Sequence, residues 1–84
     1  MASITVRYRG QMATDTGAEN ECLNADTVKD ILEHIKTRYG ADAAKQAKAM
    51  LITVDGEGIH MHKGFATVLK DGQTVQLLPI CGGG

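Results

Sequence analysis

The residues with the greatest chemical potential stand at the end of the sequence, in the segment Pro79-Ile80-Cys81-Gly82-Gly83-Gly84. A glycine run contributes nothing to a hydrophobic core, but it can enter a narrow cleft and lie against another backbone without steric conflict. Four or five extended residues reach about 15 Å, at about 3.3 Å per residue. An ionised carboxylate on Gly84 is a poor electrophile. Attack on it by sulfur or an amine therefore requires prior activation, for example as an acyl-adenylate.

The two cysteines, Cys22 and Cys81, are too few to cross-link a small secreted domain, so a reducing cytosol is the expected location. Cys22 is interpreted as a small packed hydrophobic residue on a weak strand. Cys81 has two interpretations. The favoured one is a small apolar residue at the end of the last strand, and the alternative is an exposed, redox-active thiol.

The histidines suggest a weak metal hypothesis. His60 and His62, in the sequence His-Met-His, would share one face of a predicted strand. Two ligands do not make a zinc site, and no further Cys or His follows at a ligand-like spacing. An exposed strand face is the favoured interpretation, and His34 is expected on the solvated side of a helix. The sequence therefore predicts no metal site.

Composition and missing motifs exclude several function classes. The 84 residues carry nine Lys and Arg against ten Asp and Glu, a balance that does not favour nucleic acid or anionic membranes. No apolar run approaches the roughly 20 residues of a membrane span. Neither G-x-x-x-x-G-K-[ST] nor G-x-G-x-x-G occurs, and Ser3 is the sole serine. A site that activates Gly84 with ATP would therefore belong to a partner, and this chain would be a carried substrate without a catalytic site or bound cofactor of its own.

Hydrophobic periodicity predicts the elements that hold this segment. Residues 3–9 alternate as a half-buried strand, residues 10–17 form a turn-rich connection, and residues 18–24 form a weaker strand. A helical stripe follows, consisting of Val28, Ile31, Leu32, Ile35 and Tyr39. Thr27 and Asp30 have the spacing of a capping box, and Gly40 stands where a helix C-terminal glycine belongs.

The second half of the chain returns to strands after a short Ala-rich helix over residues 41–49. Residues 50–54 and the segment Ile-His-Met-His predict a hairpin through Asp55-Gly56, and residues 74–80 predict the last strand. One sheet crossed by one main helix gives the α+β class. The domain is expected over residues 1–78, followed by a flexible Gly-rich tail over residues 79–84.

The segment from Gly64 to Gly84, GFATVLKDGQTVQLLPICGGG, resembles the C-terminal signature of the MoaD/ThiS family of ubiquitin-like sulfur carriers. The matching positions are Thr67, Leu69, Asp71, Gly72, Val75, Leu77, Pro79, Gly83 and Gly84. The sequence departs from that signature at Gln73, at Ile80 in place of a second proline, and at Cys81-Gly82.

This resemblance implies a β-grasp fold, with a mixed sheet packed on one main helix. It also implies that Gly84 is adenylated by a partner activating enzyme, which uses ATP, and is converted to a thiocarboxylate with sulfur from a sulfurtransferase or another donor. Cys81, Gly82 and Gly83 would then enter the large subunit of molybdopterin synthase, in a heterotetramer, and the thiocarboxylate would donate sulfur to a pterin precursor. Chain length and the sequence Leu-Leu-Pro favour this branch over the thiamin carriers.

Other functions remain open at this stage. The chain is alternatively a sulfur carrier for thiamin, cysteine or another metabolite, or a ubiquitin-like modifier joined to lysine amines. A β-grasp interaction module, or a metal or redox protein that uses His60, His62 and Cys81, is a further alternative. For the carrier, an exposed apolar face around Leu77, Leu78 and Ile80, together with Phe65, is the predicted docking surface.

Overall fold

The structure is a computed structural model that describes residues 1–80. The sequence-based expectations for Cys81, Gly82, Gly83 and Gly84 concern residues outside this described part.

A mixed sheet of five strands forms one layer of the molecule. Its strands are β1 (Ala2–Tyr8), β2 (Asn20–Ala25), β3 (Leu51–Val54), β4 (Glu57–Gly58) and β5 (Thr74–Leu78), arranged in the order β2-β1-β5-β3-β4. The first and last strands, β1 and β5, lie side by side in parallel, and all other pairs are antiparallel. Parallel pairing of the chain's two end strands needs the long intervening crossover that the helices provide.

The alternation in β1 is confirmed. Ile4, Val6 and Tyr8 are buried, whereas Thr5 and Arg7 between them are half-buried. Tyr8 pairs with Leu77 of β5, and both side chains are fully buried. The strand therefore places one face in the core and leaves the other face open.

The main helix, α2 (Val28–Tyr39), buries the predicted stripe through Val28, Ile31, Leu32 and Ile35. The Asp30 carboxylate accepts the backbone N–H groups of Asp26 and Thr27 at 2.9 and 3.1 Å, as the capping-box spacing predicts. The helix ends before Gly40, which has φ 104°, and α3 (Ala41–Lys48) follows at once. Within residues 1–80, no helix is long and apolar enough to cross a membrane.

The connection between β1 and β2 differs from the prediction. Instead of an irregular turn, it contains a short helix, α1 (Gln11–Thr16), bounded by Gly10 and Gly17 with φ of 65° and 71°. A helix of only one or two turns is unstable in isolation. Here Met12 is fully buried in the core, so tertiary packing stabilises a helix that local sequence does not specify.

The predicted hairpin through Asp55-Gly56 is confirmed in its turn and wrong in its second strand. Asp55 and Gly56 have φ of 50° and 86°, the positive values that a tight type I′ hairpin requires. The strand β4 ends at Gly58, however, and a 3₁₀ turn over Ile59–Met61 follows. A side-chain Cβ at position 58 would lie 2.5 Å from the ring of the exposed His60, so any larger residue there would require that ring to move.

Candidate functional site

The C-terminal segment leaves the sheet at the end of β5. Leu78 is the last strand residue, and the Pro79 ring packs over Gly10 at the start of α1. A Cβ atom at position 10 would lie 3.1 Å from Pro79 Cγ, and the φ of 65° also favours glycine there. The chain therefore leaves the sheet beside Gly10, and Ile80, which follows Pro79, is 63% exposed.

An apolar patch surrounds this exit point. Leu78 pairs with Leu51 of β3, and their strand neighbours Leu77 and Ile52 face the core. Because successive strand side chains alternate between faces, Leu51 and Leu78 both lie on the face of the sheet opposite the core. Leu51 is 39% exposed and Leu78 is half-buried. Leu51, Leu78 and Ile80 together are called the exit patch below.

A polar row lies next to the exit patch on the same face. Arg7 pairs with Gln76, and Gln76 pairs with Thr53. Thr53 is only 6% exposed, and its Oγ1 has no hydrogen-bond partner among residues 1–80. Because this hydroxyl is itself buried, it is an unsatisfied polar group within the sheet and not a contact point for another chain.

Two of the residues predicted to form the docking face lie elsewhere. Leu77 is fully buried and faces the core, because the strand alternation turns it away from Leu78. Phe65 lies in a second 3₁₀ turn, Gly64–Ala66, which packs beside α2 rather than on the open face. Phe65 is 41% exposed. Its proposed role in docking stays a prediction, as do those of Leu78 and Ile80.

The histidines do not share a strand face, because the 3₁₀ turn rotates one away from the other. His60 lies within that turn, and His62 follows it with Nε2 3.4 Å from Glu57 Oε1. Among the described residues, no group of three or more His, Cys, Asp or Glu side chains is placed to hold a metal. A small open pocket of about 220 Å³ lies nearby, lined by His62, Lys63, Thr67 and Val68.

Cys22 is exposed, contrary to the interpretation of a packed hydrophobic residue. Its partners in β1 show why. Glu21 and Leu23 face the buried Val6 and Ile4, so the residue between them must face the open side of the sheet. The Cys22 Sγ lies 3.9 Å from Thr5 Oγ1.

A polar cluster around Glu21 connects β2 to α2, and sequence reasoning did not identify it. Glu21 accepts hydrogen bonds from Tyr8 Oη at 2.7 Å and from Tyr39 Oη at 3.3 Å. His34 Nε2 lies 3.1 Å from Glu21 Oε1, without the alignment of a hydrogen bond, and Arg38 Nε lies 3.4 Å from Oε2. The rings of Tyr8 and Tyr39 meet edge to face at 6.0 Å. No local signal in the sequence marks this cluster, because the facing of Glu21 follows from its register with Val6 of β1.

The cluster shifts the ionisation of its members. Burial alone would raise the pKa of Glu21, but the hydrogen bond from Tyr8 and the proximity of His34 outweigh burial, so this pKa lies below its usual value. Burial, followed by the hydrogen bond to Glu21, raises the pKa of Tyr8 well above its usual value. At neutral pH the cluster therefore holds a carboxylate bonded to a protonated tyrosine, which is a structural bond and not an acid–base pair ready for catalysis.

Comparison with solved structures identifies the fold. The small archaeal modifier protein 1 from Methanosarcina acetivorans is similar with a TM-score of 0.85 and 23% identity, covering 100% of this chain and 98% of that chain. A chain of the BexX/CysO complex from Amycolatopsis orientalis gives a TM-score of 0.80 and 25% identity, covering 96% and 99%. A chain of the complex of molybdopterin-converting factor subunits 1 and 2 from Helicobacter pylori gives 0.70 and 26%, also covering 96% and 99%.

A search of curated proteins finds no significant match to the sequence. The model of the ThiS family, in contrast, matches residues 6–84, which include nearly all of the described domain and the whole glycine run. With a mixed five-stranded sheet packed on a main helix, the chain has the ubiquitin-like β-grasp fold. It belongs to the ThiS family of ubiquitin-like sulfur carriers and modifiers.

Proposed function

We propose that the chain is a sulfur carrier whose Gly84 carboxylate is adenylated by a partner enzyme and converted to a thiocarboxylate. The observation that carries this proposal is the family match through Gly84, which includes the terminal glycine pair Gly83-Gly84. The strand β5 directs the chain toward that segment from a defined point beside an exposed apolar patch. The described residues provide the fold, the exit point and a surface for docking, and the partner provides the nucleotide site.

The chemistry proceeds in two displacements. The Gly84 carboxylate attacks the α-phosphorus of ATP, forming an acyl-adenylate and releasing pyrophosphate. A sulfide equivalent from the sulfur donor then attacks the acyl carbon. AMP leaves together with the carboxylate oxygen that linked it to this carbon, so one oxygen of Gly84 is replaced by sulfur. The glycines Gly82 and Gly83 permit close approach of the partner's backbone, since they carry no side chain.

The exit patch is the proposed docking surface for the activating enzyme and for the sulfur acceptor. Leu51 and Leu78 expose apolar area beside the chain exit, and apolar contacts next to a threaded tail stabilise its insertion. Leu78→Asp places a charge in this interface and should weaken partner binding by tenfold or more, an expectation of about 1.4 kcal/mol or more. Val68→Asp is a suitable control, because Val68 is exposed beside the second 3₁₀ turn and away from β5.

Phe65→Asp tests the other predicted docking residue separately. Loss of affinity for this variant would extend the partner's contact surface from the exit patch to the side of the molecule beside α2. Unchanged affinity would confine docking to the open face. Isothermal titration calorimetry with the full chain and the purified partner measures both variants, and circular dichroism verifies that each is folded.

Molybdopterin synthesis is the proposed destination of the sulfur. The similarity to a molybdopterin-converting factor chain in complex with its second subunit supports this choice, together with the chain length and the sequence Leu-Leu-Pro before the tail. The proposed acceptor complex is the large subunit of molybdopterin synthase, in a heterotetramer. A second candidate is a protein modifier joined to lysine amines, which the similarity to small archaeal modifier protein 1 favours.

Intact mass spectrometry tests the carrier role. The full chain is incubated with ATP, a candidate activating enzyme and a sulfur donor, and fragmentation locates any modification. Exchange of one oxygen for sulfur at Gly84 supports the proposal, whereas an unmodified terminus with several activating enzymes contradicts it. Deletion of Gly84 provides the negative control, and Cys81→Ser excludes sulfur bound at Cys81. Conjugates that survive denaturation in cell extract would favour the modifier function instead.

A further inference from the structure

The strand β2 forms one edge of the sheet, and its unpaired side has a defined pattern. The Tyr8 N–H donates to Glu19 O at 2.8 Å, which makes this facing pair a hydrogen-bonded one. Since such pairs alternate along antiparallel strands, Glu21 and Leu23 also bond to β1. The residues that alternate with them, Asn20, Cys22 and Asn24, consequently direct their N–H and C=O groups away from β1.

The opposite side of β1 gives an independent check of this pattern. Thr5, which faces Cys22, donates its N–H to Gln73 O at 3.1 Å, on the side of β5. Thr5 is therefore not bonded to Cys22 through its backbone, and the outward groups of Cys22 have no partner among residues 1–80. The edge of β2 thus presents three residues whose backbone donors and acceptors are available.

This edge lacks most of the features that usually prevent pairing with another strand. Proteins protect such edges with lysine, proline, bulges, very short strands or inward-pointing charged residues. Glu21 is the one charged residue of β2, and its carboxylate is already engaged by Tyr8 and Tyr39. The strand β2 has six residues, Asn-Glu-Cys-Leu-Asn-Ala, which contain neither lysine nor proline, and its register with β1 is uninterrupted. The opposite edge strand, β4, has only two residues. The two edges therefore differ, and β2 is the one suited to accept a strand.

We propose that two copies of this chain associate through antiparallel pairing of β2 with β2, about a two-fold axis at Cys22. Cys22 then faces Cys22 of the second copy, and Asn20 faces Asn24 at both ends. Each of these three facing pairs exchanges two backbone hydrogen bonds, and the two sheets become one continuous sheet. This inference concerns a surface that the proposed sulfur-carrier function does not use.

The outward-facing residues are spaced symmetrically about Cys22, so a second copy presents the matching set, and only this register pairs all three of them with one another. Charge also disfavours one neighbouring register. With the axis at Cys22, each Glu21 faces a Leu23, so no like charges are opposed. The neighbouring register, with the axis at Glu21, would place two carboxylates directly opposite each other, which is destabilising. Facing Cα atoms in a hydrogen-bonded pair are about 5.5 Å apart, within the usual range for a disulfide. Cys22 is exposed, so this geometry can be detected by cross-linking.

The proposed dimer leaves both exit patches open. The strand β1 lies between β2 and β5, and the two-fold axis reverses the strand directions of the second copy. The two C-terminal segments therefore leave the continuous sheet in opposite directions. Two activating enzymes or acceptors can approach without competing for the same space.

Disulfide trapping tests the register. In the full chain carrying Cys81→Ser, diamide should oxidise the two Cys22 thiols to a disulfide across the two-fold axis. The control chain lacks Cys22 and carries Thr37→Cys instead. We expect the Cys22 dimer to form at least about tenfold faster than the control dimer. Thr37 is an exposed residue of α2, so it reports random collision. Chains with Asn20→Cys should cross-link to chains with Asn24→Cys but not to themselves. Equal rates for Cys22 and the Thr37 control, or rapid self-linkage of Asn20→Cys, would overturn the proposal.

Sedimentation velocity tests the association without a covalent bond. Under reducing conditions, the chain with Cys22→Ser should form dimers at millimolar concentration, and Cys22→Asp should weaken them at least about tenfold by placing two carboxylates in direct opposition. Circular dichroism checks that both variants are folded. A chain that stays monomeric at millimolar concentration, or equal association of the Ser and Asp variants, would show that the edge does not pair in this way.

Discussion

Removal of the Glu21 carboxylate is expected to destabilise the domain strongly. Glu21→Ala removes the acceptor for Tyr8 Oη, at 2.7 Å, and leaves the fully buried tyrosine with an unsatisfied hydroxyl. An orphaned buried donor costs about 1–3 kcal/mol, and loss of the weaker bond from Tyr39 at 3.3 Å adds to it, so the expected loss is about 2–4 kcal/mol. In a domain of this size, that corresponds to a fall in Tm of roughly 10–25 °C.

A double-mutant cycle in urea isolates the cause. Tyr8→Phe alone should cost about 1–2 kcal/mol, because it removes one charge-assisted hydrogen bond. In the Glu21→Ala chain the same substitution should cost nothing or even stabilise the domain, since it removes the orphaned hydroxyl. Glu21→Gln retains an acceptor and should cost about 1 kcal/mol. If Tyr8→Phe costs the same with and without Glu21, the hydrogen bond does not stabilise the fold and the reasoning is refuted.

Three further predictions follow from local geometry. The pKa of Glu21 lies below its usual value of 4.5, so the Glu21 carboxylate stabilises the folded domain fully above pH 4.5. This stabilisation is lost as the pH falls through the lowered pKa. The difference in unfolding free energy between the unmodified chain and Glu21→Gln, measured in urea titrations, should therefore shrink as the pH falls. Asp30→Ala should cost about 1 kcal/mol by removing the α2 cap, with exposed Glu33→Ala as a nearly neutral control. Gly10→Ala should cost about 2–3 kcal/mol and shift the NMR signals of Pro79, because the new Cβ would contact the Pro79 ring and φ is positive. Gly17→Ala is the matched control: φ is also positive, but no atom lies within 4 Å of the new Cβ. It should cost about 1–2 kcal/mol and leave the Pro79 signals unchanged.

Elements with strong periodicity were predictable from sequence. The α2 stripe and the Thr27–Asp30 cap are confirmed because helix spacing and a local carboxylate determine them within a few residues. The alternation of β1 and the positive φ of Asp55-Gly56 are local in the same sense. The family signature extended this prediction to the fold, since its matching positions include the Asp71-Gly72 turn that leads into β5.

Features that depend on distant residues were not predictable in this way. The helix α1 depends on burial of Met12, which is a tertiary contact, and no local signal marks the 3₁₀ turn that follows Gly58 in place of the predicted strand. The Glu21 cluster joins residues from β1, β2 and α2, so no single window of sequence contains it. Cys22 was misassigned for a related reason: the facing of β2 is set by its register with β1, and the weak alternation of β2 does not reveal that register.

The two proposed surfaces can be perturbed independently because β1 separates them. Glu21 connects β2 to α2, so Glu21→Ala loosens the edge strand and should weaken the β2-mediated dimer at temperatures where the domain is still folded. The same variant leaves Leu51, Leu78 and Gly10 in place, so conversion of Gly84 to a thiocarboxylate should proceed at the normal rate. Leu78→Asp should have the opposite effects, with slower conversion and an unchanged dimer. If either variant lost both dimer formation and conversion of Gly84, the two surfaces would be coupled through the sheet. In that case β1 would transmit the structural change between β2 and β5.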